Sequence, residues 1–265
     1  MNQLPYPLDY LHKFNIHKWL GLNVADDDLA SIARMYGVRP GELKRVERRL
    51  QDNVARLAAR LASSRGGGPR PAAAPLTVLA FGDSISSDRE GYVHILNRYW
   101  QGSSRSVVDC AVSGNTTSSL LDRLYITAMN QKFDWVVLFI GTNDCRLPED
   151  EEHIPVTSLP EYQRNLQYLV KVFQKNGKQA VLVTLPPVDN RRLVDFLGHG
   201  RIYDPKHIAA ANQLIRELAS RNGLKVADLA AAIDAQRDDV LTADGLHLND
   251  AGQLALCGLL LDILP

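Results

Sequence analysis

The chain has 265 residues, of which 45% are hydrophobic and 23% are charged, and 30 Lys+Arg balance 30 Asp+Glu. This hydrophobic fraction is ordinary for a folded protein and excludes a chain that is disordered as a whole. The zero net charge gives no global reason to expect nucleic acid or an anionic membrane as a partner, and no apolar run approaches the roughly 20 residues of a membrane span.

The first 62 residues predict a small helical unit, and its amino terminus lacks a signal-peptide apolar segment. Asp27 or Asp28 is expected to cap a short helix that stops at Gly37, and Pro40 suits the first turn of a second helix. In this second helix a single apolar stripe recurs at spacings of 3 or 4, namely Leu43, Val46, Leu50, Val54, Leu57 and Leu61. The stripe must be buried against the main domain, the first helix or a second copy of the chain, so a homo-oligomer through helix 40–62 is one prediction.

Residues 63–75 hold three glycines and three prolines, which predicts a linker between the unit 1–62 and a main domain 76–265. Residues 1–70 carry 12 Lys+Arg and 7 Asp+Glu, an excess of +5, and residues 29–50 resemble a helix-turn-helix. Because this excess is modest, we favour packing or oligomerisation over DNA binding and expect no nucleic-acid partner.

The main domain alternates short apolar runs with helical patterns. The runs are 76–81, 106–112, 135–140, 179–185 and 224–229, and the helical patterns lie near 91–101, 117–130, 159–176, 205–222 and 249–263. This alternation predicts βαβ units, with a parallel sheet covered by helices on both faces. Ligands of such sheets bind at the carboxyl ends of the strands, so candidate functional residues are those that follow each run.

Four short motifs stand at these positions. Ser84 follows the first run, Gly114 the second and Asn143 the third, while Asp244 and His247 lie before the last helix. Each motif alone is compatible with an ordinary turn or helix cap. Together they supply a nucleophile, oxyanion donors, a base and a carboxylate that orients the base, which favours one site for nucleophilic acyl transfer.

The motifs Gly82-Asp83-Ser84, Gly114, Gly141-Thr142-Asn143-Asp144 and Asp244-Gly245-Leu246-His247 resemble, in order, the four sequence blocks of the SGNH (GDSL-type) hydrolases. The resemblance covers residues 76–265 and implies a flavodoxin-like three-layer α/β/α fold. It also implies esterase, lipase, deacetylase or thioesterase activity without a metal or a cofactor. It implies Ser84 as nucleophile, His247 as base and Asp244 as its partner, with Ser84, Gly114 and Asn143 forming the oxyanion hole. Asp83 and Asp144, within the same blocks, are substrate-binding candidates.

Several alternatives stay open at this point. An acyltransferase would use the same acyl-serine, and a non-catalytic scaffold would act through the amino-terminal helices. A Cys145–His dyad is disfavoured because no second histidine stands at a matching strand end. The three cysteines include no CxxC pair, which predicts reduced thiols, no bound metal and a cytoplasmic protein.

The substrate is expected to be a small-molecule ester, and no membrane insertion is expected. The polar residues 86–90 after the nucleophile, and a long segment 186–204 that suggests a wall over the crevice, favour a short acyl group on a polar alcohol.

Overall fold

The computed structural model of the chain describes residues 6–19, 24–68, 74–147, 154–197, 202–236 and 239–265. The elements before the sheet are helical: α1 (Leu8–Lys13), α2 (Ile16–Trp19), α3 (Leu29–Tyr36) and α4 (Pro40–Ser64). The predicted caps are confirmed, since the Asp28 side chain accepts from Ser31 N–H and Gly37 ends α3 in the left-handed conformation. Residues 69–73 of the predicted linker 63–75 lie outside the described residues, and Ser63 and Ser64 belong to α4.

The strands of the described chain are β1 (Leu76–Gly82), β2 (Arg105–Asp109), β3 (Trp135–Phe139), β4 (Arg146–Leu147), β5 (Gln179–Val183), β6 (Ile202–Tyr203) and β7 (Lys225–Ala227). Five of them form a wholly parallel sheet in the order β2-β1-β3-β5-β7, while β4 and β6 make a separate antiparallel pair. Numbered within the sheet alone, this order is 2-1-3-4-5, the flavodoxin-like order, which confirms the predicted fold class.

The helices that follow β1 are α5 (Ser84–Ser87), α6 (Tyr92–Tyr99), α7 (Thr117–Arg123), α8 (Leu159–Lys175), α9 (Asn190–Leu197), α10 (Pro205–Asn222), α11 (Leu229–Gln236) and α12 (Asp250–Ile263). Helices α6 and α12 pack together, as do α7, α8 and α10, so the sheet lies between two helical layers. The helix predicted over 117–130 is wrong in one respect: after Arg123 the chain widens into a π-helical turn, Leu124–Ala128, closed by the bond from Met129 N–H to the Leu124 carbonyl. Within the described ranges, no helix combines the length and apolar character needed to cross a bilayer.

Helix α4 joins the amino-terminal helices to the sheet domain. All six side chains of its predicted stripe are buried, and the helix packs on α1, α3, α6 and α12. Leu57 and Leu61 belong to the same buried cluster as the sheet, whereas Leu43 belongs to a smaller cluster with Ile32 and Tyr36. The stripe is therefore covered within one chain, while self-association through α4 and the boundary of the unit 1–62 stay predictions.

Candidate active site

The turn after β1 presents Ser84. A Cβ atom on Gly82 would lie 2.3 Å from the carbonyl oxygen of Phe139, so only glycine allows β1 and β3 to approach this closely. Asp83 then caps α5 by accepting from Ile85 N–H at 3.0 Å. Because Ser84 is the first residue of α5, its own N–H has no carbonyl partner within the helix.

The loop before α12 carries Asp244 and His247. Gly245 has φ +69°, and a Cβ there would lie 2.5 Å from the Asp189 carbonyl, so the turn requires glycine. One carboxylate oxygen of Asp244 accepts from Thr242 Oγ1 at 2.5 Å and from the N–H groups of Leu246 and His247 at 2.9 and 3.0 Å. These bonds fix the carboxylate and leave its second oxygen free to face the imidazole.

Ser84, His247 and Asp244 form one hydrogen-bonded line. The His247 Nδ1 atom lies 2.6 Å from Asp244 Oδ2, and its Nε2 atom lies 2.8 Å from Ser84 Oγ. Burial alone would raise the pKa of Asp244, but its hydrogen bonds from His247 and Thr242 hold the pKa of the carboxyl well below its usual range. An ionised Asp244 keeps the proton of the neutral imidazole on Nδ1 and leaves Nε2 able to accept from the serine.

Gly114 and Asn143 line the same cavity as Ser84 and His247, and the cavity has a volume of about 90 Å³. Gly114 is exposed to the cavity at φ +78°. The Asn143 Nδ2 atom donates to the Asn115 carbonyl at 3.0 Å, which uses one of its two hydrogens and fixes the direction of the amide. The geometry thus brings together all five residues for which the sequence predicts catalytic or oxyanion-hole roles.

The structure does not bring Asp83 and Asp144 to this cavity, since neither is among the described residues that line it. Both side chains are 1% exposed, and the Asp144 carboxylate accepts from the N–H and the hydroxyl of Thr117 at 3.0 and 2.6 Å. Burial raises the pKa of Asp83 to about 7 and also raises the pKa of Asp144. In this geometry the two carboxylates support the turns beside the site, and their predicted role in substrate binding stays a prediction.

Cys145 also lies away from the Ser84 cavity. It is buried against Tyr162 and His207 in a separate cavity, and burial raises the pKa of its thiol to about 12. The described residues contain no group of three or more His, Cys, Asp or Glu side chains placed to hold a metal ion.

The opposite wall of the cavity was missed by the sequence reasoning, because it comes from the amino-terminal helices. Five side chains of this wall line the cavity: Tyr6, Tyr10, Phe14, Ile16 and Trp19. The signal was present in the sequence, since four aromatic residues recur there at spacings of 4, 4 and 5. The predicted wall 186–204 is partly seen: Asp189 N–H binds the Gly245 carbonyl and Phe196 contacts Tyr10, whereas residues 198–201 lie outside the described residues.

Comparison with known proteins places this site in context. Residues 80–255 match the model of the GDSL-like Lipase/Acylhydrolase family. The chain is 25% identical over 121 residues to the uncharacterised lipoprotein YqeF of Bacillus subtilis (strain 168), and the match covers 42% of this chain and about half (49%) of that relative.

Two solved structures show the same fold at low identity. One is Axe2, an acetylxylan esterase from Geobacillus stearothermophilus, with 22% identity and a TM-score of 0.58 over 73% of this chain and 95% of that chain. The other is a lipase/acylhydrolase from Enterococcus faecalis, with 24% identity and a TM-score of 0.58 over 71% of this chain and 94% of that chain.

Proposed function

Because the chain belongs to the GDSL-like lipase/acylhydrolase family, we propose that it hydrolyses carboxylic esters of short acyl groups on small or polar alcohols through an acyl-serine at Ser84. The observation that carries this proposal is the line from Asp244 through His247 to Ser84, which opens into a cavity bordered by Gly114 and Asn143. A serine, a base on that serine and a carboxylate that orients the base make up the machinery of acyl transfer to a hydroxyl nucleophile.

The first half of the reaction acylates the serine. His247 Nε2 takes the Ser84 hydroxyl proton as Oγ bonds to the ester carbonyl carbon, and the carbonyl oxygen becomes an oxyanion. The tetrahedral intermediate then collapses: the bond to the alcohol oxygen breaks, His247 gives its proton to that oxygen, and the alcohol leaves. The Asp244 carboxylate stays ionised throughout and stabilises the imidazolium that exists between the two proton transfers.

The second half of the reaction hydrolyses the acyl-serine and regenerates the free enzyme. Water takes the place of the alcohol, His247 removes a proton from it, and the hydroxide oxygen bonds to the acyl carbon. Collapse breaks the bond to Ser84 Oγ, and His247 returns the proton to the serine. In both halves the oxyanion would receive hydrogen bonds from the Ser84 N–H, the Gly114 N–H and the Asn143 amide, three donors fixed before the reaction begins.

The size and lining of the cavity support a short acyl group. A volume of about 90 Å³ between aromatic side chains leaves little room for a long hydrocarbon tail. The solved relative Axe2 is named an acetylxylan esterase, which fits the same expectation of a small acyl group on a polar alcohol.

The test is hydrolysis of p-nitrophenyl acetate, butyrate and octanoate by the wild type and by Ser84→Ala, with folding of both proteins checked by circular dichroism. We expect the acetate to give the highest kcat/KM and the Ser84→Ala variant to lose turnover of every ester. Activity that survives in Ser84→Ala would overturn the assignment of the nucleophile, and a preference for octanoate would overturn the short-acyl proposal. A glycerol acceptor is included in a parallel reaction, because acetyl glycerol in place of acetate would identify an acyltransferase.

A further inference from the structure

The amino-terminal helices α1 and α2 lie directly over the catalytic histidine, although the family match begins only at residue 80. The Phe14 ring is stacked on the His247 imidazole, with ring centroids 3.8 Å apart and planes inclined by 25°. Tyr10 meets the same imidazole edge-on at 6.0 Å and Phe14 at 4.8 Å. Phe14 and His247 are 2% and 3% exposed, so this contact is sealed from water.

The stack of Phe14 on His247 restrains an out-of-plane tilt of the imidazole that the hydrogen bonds of His247 restrain only weakly. Bonds to Asp244 and Ser84 lie in the plane of the imidazole and fix the two nitrogens. They resist tilting of the ring out of that plane only weakly, because a hydrogen bond tolerates tens of degrees of misalignment. A flat aromatic ring packed on the imidazole face at this distance opposes that tilt by steric contact.

Phe14 is itself held rigidly against the residues that follow the nucleophile. Its carbonyl accepts from the hydroxyl of Ser113, the neighbour of Gly114. The next residue, Asn15, is 1% exposed and has φ +49°, a left-handed conformation that asparagine tolerates better than most residues. Its side chain donates to the Ser87 carbonyl at 2.7 Å and accepts from Arg89 Nε at 2.7 Å.

Charged residues on either side of Phe14 add to this attachment. Lys13 Nζ lies 2.6 Å from Glu90 Oε2, and Lys18 Nζ lies 2.9 Å from Asp109 Oδ2. The Lys13 carbonyl also accepts from Arg89 N–H at 2.9 Å. Because these lysines are mostly buried, their ion pairs are screened less than surface pairs and act as fixed anchors. The segment is thus a fixed wall of the cavity.

Trp19 borders the other end of the cavity. A Cβ atom on Gly114 would lie 3.8 Å from the indole Nε1 atom of Trp19. With the ester carbonyl oxygen at the Gly114 and Asn143 donors and the leaving oxygen at His247 Nε2, the alcohol would lie beside Tyr10 and Phe14, which pack on His247. The acyl group would then extend toward Trp19, which lies beside Gly114.

We propose that helices α1 and α2 and the turn between them form one wall of the active site, in which Phe14 is a positioning residue for His247 and Trp19 limits the size of the acyl group. The inference rests on the proposed function, since it assigns roles in that reaction. It adds that the hydrolase needs residues outside the matched region 80–255 to orient its base and to select its substrate.

The test of positioning is Phe14→Leu, which keeps an apolar side chain of similar bulk but removes the flat ring. A tilt of the imidazole displaces Nε2 from the serine, and misplacement of about 1 Å can cost on the order of 10²-fold in rate. We expect kcat for p-nitrophenyl acetate to fall roughly 10-fold to 10²-fold while KM changes less than about 3-fold. The matched control is Tyr168→Leu, which removes an exposed aromatic ring of α8 that does not line the cavity.

A second readout separates the failure of this inference from the failure of the proposed function. A fluorophosphonate labels an activated serine whatever the natural ester, and the labelling rate is followed by mass spectrometry at Ser84. If Phe14→Leu is folded but labels and turns over at the wild-type rate, the positioning role is wrong while the hydrolase assignment stands. If wild-type Ser84 is labelled, Phe14→Leu labels slowly and neither protein hydrolyses any ester, the proposed function is wrong while the positioning role stands. If wild-type Ser84 is not labelled at all, both are wrong.

The test of the acyl limit is Trp19→Ala. Trp19 is 62% exposed, so its truncation is expected to leave the fold intact. We expect the ratio of kcat/KM for p-nitrophenyl butyrate over acetate, which differ by two methylenes, to rise about 10-fold, because an apolar pocket discriminates by roughly 10-fold or more per methylene. An unchanged ratio would remove Trp19 from the acyl wall.

Discussion

Asn143 gives the sharpest test of the proposed oxyanion hole, through the substitution Asn143→Ala. The carboxamide lies beside Ser84 and Gly114 in the cavity, and its Nδ2 atom is oriented by the 3.0 Å bond to the Asn115 carbonyl. Loss of one such donor typically lowers kcat by 10² to 10³-fold, which is about 3–4 kcal/mol of transition-state stabilisation. Because the ground-state carbonyl carries little charge, KM should change far less than kcat.

The same substitution also has a cost in stability that can be estimated separately. It removes the hydrogen bond to Asn115, which contributes about 0.5–1.5 kcal/mol, and part of this is recovered because Asn143 is only half-buried and water can reach the carbonyl. Asn97→Ala is the control, because Asn97 is also half-buried and donates to a backbone carbonyl, that of Val107, at 2.9 Å. Asn97 also accepts from Val107 N–H at 2.7 Å, so this variant loses two hydrogen bonds of the same kind.

The assay is steady-state hydrolysis of p-nitrophenyl acetate, with urea unfolding of each variant. We expect Asn97→Ala to lose at least as much free energy of unfolding as Asn143→Ala, and only Asn143→Ala to lose kcat. An Asn143→Ala enzyme with wild-type kcat, or an Asn97→Ala enzyme with an equal loss, would refute the assignment of Asn143 to the oxyanion hole.

Three further predictions concern the carboxylates and the long helix. Asp244→Asn should lower kcat about 10⁴-fold at neutral pH, because an amide does not hold the imidazole in the required tautomer; a loss below 10-fold would contradict the role of Asp244. Asp83→Asn keeps a side chain that can cap the helix but removes the ionisable group. Because the pKa of Asp83 is raised to about 7 in the folded state, the wild type loses stability as the pH rises from about 4 to 7. The variant should therefore have the higher Tm at pH 8, and the two Tm values should become equal near pH 4. Leu57→Ala should lower the free energy of unfolding by about 2–5 kcal/mol, because Leu57 is fully buried in the sheet cluster; a loss below about 1 kcal/mol in urea titration would show that α4 does not share that core.

The strands of the sheet could be predicted because their signals are local, whereas the flavodoxin-like fold was implied only by the family resemblance. Apolar runs such as 135–140 differ from their helical neighbours in length and periodicity, and in the structure each run contains a strand within a few residues of the predicted ends. The π-helical turn Leu124–Ala128 could not be predicted, because residues 117–130 have one continuous helical pattern and the wider turn is set by packing. Helix α9 was missed because it lies in a segment that is rich in charged residues.

The candidate site also has a part that could be predicted from the sequence and a part that could not. Ser84, Gly114, Asn143, Asp244 and His247 stand at strand ends or in the last loop, where the topology of a parallel sheet brings distant residues together without any knowledge of side-chain packing. The aromatic wall follows no such rule. Its position over His247 depends on long-range polar bonds, such as that from Asn15 to Ser87, which join residues 72 positions apart and leave no periodic trace in the sequence.

The long sequence separation within the proposed catalytic line predicts that activity appears late in folding. The bond between Ser84 and His247 joins residues 163 positions apart, and the stack of Phe14 on the same histidine closes a loop of nearly the whole chain. Such contacts form slowly, because the entropy of loop closure is lost before the contact is gained. On the ribosome, a nascent chain would have a complete β1 and an exposed Ser84 well before His247 is synthesised. Recovery of hydrolysis during refolding should therefore lag behind the formation of secondary structure.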